Sequence, residues 1–96
     1  MNSEDTPSAM NQAIFKIGLS TEAISTYLLC CSLADDGTTI STKNLLKIWN
    51  GSKETLTKSL QALEDRQILK RVVSDMENKT VFQLADVHGW KLKNLD

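Results

Sequence analysis

The chain has 96 residues, 41% of them hydrophobic and 24% charged, which is room for one domain of ordinary globular composition. One Pro and four Gly exclude collagen-like, Pro-rich and Gly/Ser-linker behaviour. The longest apolar stretch, residues 27–31, ends at Ser32, far short of the roughly 18 residues that cross a bilayer. The opening MNSEDTPSAMNQ is polar and acidic, unlike a secretory signal, so the expectation is a cytoplasmic protein with no membrane partner.

The two cysteines, Cys30 and Cys31, are adjacent in an apolar context, where a mutual bridge would strain the peptide between them. They read as small hydrophobes on a helix, and no Cys/His cluster with metal-ligand spacing accompanies them. The single histidine, His88, has no nucleophile beside it in the sequence. Neither an enzyme nor a bound cofactor or metal is expected from this material.

The formal net charge of −1 conceals a segregation. Residues 1–40 carry Lys16 alone against Glu4, Asp5, Glu22, Asp35 and Asp36. Residues 41–71 carry seven basic side chains (Lys43, Lys47, Lys53, Lys58, Arg66, Lys70, Arg71) against Glu54, Glu64 and Asp65. Steering follows such local fields more than the total.

In chain order, residues 1–12 read as a flexible arm. The main domain follows over 13–86, opening on a short apolar strap at 14–19 that Gly18 interrupts. Ser20 caps a helix over 21–34, with Ala23, Ile24, Tyr27, Leu28, Cys31 and Leu33 at helical spacing, and Asp35-Asp36-Gly37 ends it. Residues 38–40 are β-branched and suit a strand stub. Ser41 caps a helix over 42–49 with Leu45, Ile48 and Trp49 inward. After the turn pair Asn50-Gly51, Ser52 caps a third helix over 53–66, whose Leu56, Leu60 and Leu63 form one apolar stripe. Glu54, Lys58, Gln61 and Asp65 fall on the opposite side. The period then becomes strand-like, giving a hairpin over 68–85 with a polar connection at 75–79. A tail over 87–96 carries Trp90, Leu92 and Leu95 and reads as a docking segment.

Helix, stub, helix, turn, helix, hairpin is the order of an α+β, mostly α, winged helix-turn-helix. The residues make the likeness more specific. Ser52-x-x-Thr55-Leu56, then Leu60 and Leu63, then a polar helix end running into Ile68-Leu69-Lys70-Arg71, resembles the core of bacterial and phage winged-helix DNA-binding proteins. MarR-like regulators and the winged-helix domains of phage and plasmid replication proteins share that pattern. Phe15-Lys16-Ile17 followed by Leu19-Ser20-Thr21-Glu22-Ala23 is similar to the start of the replication-type group. The likeness spans residues 14–85 and specifies fold better than function. Three positions depart from the pattern: Gln67 where Gly usually ends the recognition helix, Leu46 where a small residue is usual, and acidic Glu54 and Asp65 on the recognition face.

The resemblance implies a small sequence-specific binder of double-stranded DNA, a transcriptional regulator or replication accessory acting by site occlusion. The candidate contacts are Lys43, Ser52, Lys53, Thr55, Thr57, Lys58 and Gln61, with Arg71 and Lys79 on the wing; lysines meet phosphates or guanine, and amides and hydroxyls meet base edges. A homodimer reading two half-sites is expected through Phe15 in the strap or Trp90, Leu92 and Leu95 in the tail. For Trp90 the alternative is a cover over the chain's own core, and Trp49 reads as core at the helix–turn junction. The competing function is a winged helix that binds a protein, as adaptor or inhibitor, which the acidic first forty residues favour.

Overall fold

The computed structural model describes residues 10–74 and 80–91. Among them are three α-helices, α1 (Thr21–Asp35), α2 (Thr42–Ile48) and α3 (Lys53–Asp65). They are joined by a three-stranded antiparallel sheet of β1 (Ile40–Ser41), β2 (Leu69–Ser74) and β3 (Thr80–Leu84) in the order β1-β3-β2. Short 3-10 turns at Gln12–Lys16 and Val87–Gly89 flank this α+β unit. No helix among the described residues is long and apolar enough to cross a membrane.

Each α-helix starts where a serine side chain replaces a missing backbone partner. Ser20, Ser41 and Ser52 accept from the N–H groups of Ala23, Asn44 and Thr55 at 3.1, 3.0 and 3.1 Å. The two longer helices end alike. Past α1, Gly37 sits at φ +75° while its N–H bonds to Ala34 O (3.0 Å) and that of Thr38 to Leu33 O (2.8 Å). Past α3, Gln67 sits at φ +60°, with its N–H on Glu64 O and that of Ile68 on Leu63 O, both 2.9 Å. This is one closing motif used twice, and at Gln67 a side-chain-bearing residue occupies the left-handed position. The N–H of Thr38 thus finishes α1, so the strand stub expected over 38–40 begins only at Ile40.

The core gathers Ala23, Tyr27, Cys30 and Cys31 of α1, Leu45 of α2, Leu56, Leu60 and Leu63 of α3, and Ile68, Leu69 and Phe82 from the sheet and its approach. Ile14 of the strap joins it, and the N–H of Asn11 donates to the Tyr27 hydroxyl at 2.8 Å. Both cysteines are free and buried; burial pushes the thiol of Cys30 up to about 12 and that of Cys31 to about 11. Leu46 is half-buried against the core. Two side chains expected inward are not. Leu28 of α1 and Ile48 of α2 are 36% and 44% exposed; α1 buries Thr26 and Cys30 instead, with the Thr26 hydroxyl satisfied on Glu22 O at 2.9 Å, and α2 buries Leu45.

The start of the tail belongs to the core. Trp90 is 7% exposed, meets Tyr27 edge-to-face at 5.7 Å, and donates its indole N–H to Ala85 O at 3.1 Å. In the single chain Trp90 thus covers the chain's own core. Arg66 and Lys91 tie this segment to the end of α3: the Lys91 N–H donates to Arg66 O at 2.6 Å and Arg66 Nη1 to Lys91 O at 3.2 Å. Leu92 and Leu95 lie outside the described residues. Phe15 is 54% exposed on its 3-10 turn.

Candidate nucleic-acid interface

The buried residues of α3 are Leu56, Ser59, Leu60 and Leu63. At about 100° per residue the opposite line is Glu54, Lys58, Gln61 and Asp65, with Lys53, Thr57 and Glu64 on the flank that turns towards the sheet. Lys53, Glu54, Thr57, Lys58, Gln61 and Asp65 are all exposed. Helix α3 is 13 residues long, so this uncovered side runs for roughly 20 Å. The side stands beside the β2–β3 pair and follows directly from the turn that leaves α2.

That turn is built around Trp49. Its indole N–H is shared between Ser52 O (3.0 Å) and the Thr55 hydroxyl (3.2 Å), and Thr55 in turn donates to Ser52 O at 2.9 Å. Gly51 lies against the indole: a Cβ there would come within 2.9 Å of Trp49 Nε1. Glycine is needed here for close approach, not for a positive φ. The Thr55 hydroxyl, a candidate base contact, is engaged inside the turn along with the Ser52 cap.

The other expected contacts are distributed as follows. Lys43 is exposed in the first turn of α2. Thr57 donates to Lys53 O at 2.9 Å, while Gln61 Nε2 donates to Asp65 Oδ1 at 2.9 Å and keeps its carbonyl. Arg71 pairs in register with Phe82, so it stands on the sheet face that meets α3, whereas exposed Lys70 and Gln83 share the other face. Arg71 reaches Glu64 through two bonds, Nη2 to Oε1 at 2.8 Å and Nε to Oε2 at 3.1 Å, with its guanidinium 5.8 Å from the Phe82 ring centroid. The Glu64 carboxylate holds the Arg71 pKa above its ordinary value. Lys79 lies outside the described residues.

Two features escaped the sequence reading. A groove of about 630 Å³ runs between α1 and the α2–α3 turn, with Leu28, Leu29, Ile48 and Trp49 on its walls and Glu22 at its rim. A cleft of about 270 Å³ lies between α3 and the sheet, lined by Lys53, Thr57, Gln61, Glu64, Arg71 and Phe82. Among the described residues no three His, Cys, Asp or Glu side chains converge as a metal site. His88 instead pairs with Asp86 at 2.8 Å in an exposed turn, where the His88 backbone N–H and then its ring hold the Asp86 carboxyl below the usual range.

No protein-family model, curated protein or solved structure matches the chain.

Proposed function

We propose that the chain is a winged helix-turn-helix module that binds double-stranded DNA in the cytoplasm and acts by occluding its site, as a transcriptional regulator or replication accessory. In this reading α3 lies in the major groove and the β2–β3 hairpin is the wing. The observation that carries it is the uncovered side of α3, set beside that hairpin and immediately after a tight turn from α2. A groove about 12 Å wide accepts such a helix. The exposed lysines Lys43, Lys47, Lys53 and Lys58 of α2 and α3 supply the charge that phosphates require. Lys53, Thr57, Lys58 and Gln61 are the groove contacts, and Lys43 and Ser52 phosphate contacts. Two copies joined through Phe15 would read two half-sites about one helical turn apart.

A second reading, a protein-binding module, is favoured by the carboxylates of Glu54 and Asp65 on the outward line of α3 and by the apolar groove at Leu28 and Ile48. Fluorescence anisotropy with random and selected duplexes at two salt concentrations separates the two. DNA binding predicts affinity that falls with salt, and Lys53→Ala and Lys58→Ala should each flatten the log–log slope by roughly one unit. A folded protein that binds no duplex at low salt refutes the DNA reading and leaves the protein-binding one.

A further inference from the structure

The cleft between α3 and the hairpin holds three charged side chains, Lys53, Glu64 and Arg71, with Thr57 and Gln61 on its helical wall. Arg71 and Glu64 are unequally placed in it: the arginine side chain is 46% exposed and the glutamate 18%. An anion entering from solvent therefore meets the guanidinium before the carboxylate. A guanidinium carries five N–H donors in a fixed fork. Two of them bond to Glu64 through Nη2 and Nε, which fixes the plane and leaves the Nη1 edge for a second acceptor. The guanidinium also lies 5.8 Å from the Phe82 ring centroid, within cation–π reach. An ion pair this exposed contributes little to stability, so holding the fold together does not account for it. A cleft of about 270 Å³ has space for several waters, hence for one phosphodiester group.

We propose that this cleft seats one DNA backbone phosphate on Arg71, and that Glu64 serves there as a built-in counterion which aims the guanidinium while cancelling its charge. The inference rests on the DNA-binding reading and adds to it a specific phosphate seat with an internal brake. Its consequence is quantitative. A phosphate neutralised by an unaccompanied arginine releases its condensed cation, worth roughly 0.9 in the slope of log K against log salt. With Glu64 alongside, the Arg71–Glu64 pair carries no net charge and that cation stays, while Lys53 contributes to the slope on its own account. Arg71 then adds contact and direction but almost no salt dependence.

The test is anisotropy with a random-sequence duplex of about two helical turns, from about 50 to about 200 mM salt. Glu64→Gln keeps an acceptor for Arg71 and removes the charge. It should steepen the slope by roughly 0.9. It should also raise low-salt affinity roughly threefold, the Coulomb repulsion of two unit charges roughly 6 Å apart in a water-like dielectric. Glu64→Ala should steepen the slope equally but gain less affinity, because the guanidinium loses its anchor. In an Arg71→Ala background the slope change of Glu64→Gln should vanish. Glu54→Gln, a charge-matched control outside the cleft, should act the same with or without Arg71. An unchanged slope in Glu64→Gln, or a slope change that persists without Arg71, overturns the phosphate seat while the DNA reading stands. No binding by any variant of the folded protein overturns both.

Discussion

Gln67 is the one non-glycine residue with positive φ among the described residues, at +60°, and it ends α3 with the same hydrogen bonds that Gly37 uses to end α1. A Cβ in the left-handed region costs roughly 1–2 kcal/mol against the following carbonyl. Replacing Gln67 with Gly removes that strain but returns roughly 0.5–1 kcal/mol through the greater freedom of Gly in the unfolded chain. The side chain is exposed, so no buried packing is lost. Gln67→Gly should therefore stabilise the fold by roughly 0.5–1 kcal/mol, or about 3–6 °C in Tm for a domain of this size. Gln67→Ala keeps the Cβ and should gain nothing. The mirror change supplies the calibration: Gly37 is at φ +75° with no atom within 4 Å of a built Cβ, so Gly37→Ala should be destabilising through the backbone alone. Urea titrations and thermal melts of the three variants decide the matter. A Gln67→Gly protein that melts at or below the parent, while Gly37→Ala is destabilised, would refute the claim that the end of α3 is strained.

Three further outcomes follow from the packing. Trp90→Ala should lose roughly 3–5 kcal/mol in urea denaturation, as for other buried Trp truncations; a loss under about 1 kcal/mol would place Trp90 outside the core. Gly51→Ala drives a Cβ against Trp49 Nε1 and should lose roughly 1–3 kcal/mol. Combining it with Trp49→Phe, which removes the obstructing edge, should lose less than the sum of the single changes, and strict additivity would remove the indole from the explanation. Burial raises both thiols from an ordinary value of 9.0, Cys31 to about 11 and Cys30 to about 12, so above pH 9 the unfolded chain releases protons that the folded chain keeps. Stability is therefore fully present below pH 9 and should fall as pH rises towards the folded-state values; a urea midpoint that stays flat from about pH 9 to about 11 contradicts it.

Helix starts were the most legible feature, because a serine followed by a helical pattern states its own local hydrogen bond; Ser20, Ser41 and Ser52 all cap as read. The Leu56, Leu60 and Leu63 stripe was equally legible, since on α3 burial follows the period. Helix α1 was harder. Its buried side includes Thr26, which no apolar template selects, and Leu28 is left at the surface, where it and Ile48 line the same groove. The site was legible as a list of exposed residues on α3, not as a set of relations. Thr55 turned out to be engaged with Trp49 and Ser52, which spacing alone does not reveal. The Arg71–Glu64 pair joins a strand to a helix across a helix end, so no i, i+4 pattern announces it. Trp90 is tied to Tyr27, a contact only the folded chain creates.

The acidic residues of α3 argue against DNA only until their positions along the helix are separated. The acids of the C-terminal half of α3 are engaged by neighbouring side chains. Glu64 holds Arg71, Asp65 accepts from Gln61, Arg66 binds the tail through Lys91, and Leu63 and Ile68 are buried at the closing motif. Glu54, in the first turn, favours the positive end of the helix dipole and so has a stabilising reason to be there. The groove is left to the N-terminal half, where Lys53, Thr57 and Lys58 are exposed and Glu54 is the single acid, and to Gln61 just beyond it. In the proposed reading that stretch enters the groove, at the end where the α2–α3 turn lies. Glu54 then carries opposite effects, supporting the helix while repelling phosphates, and Glu54→Gln should separate them: lower stability by a few tenths of a kcal/mol and tighter DNA binding.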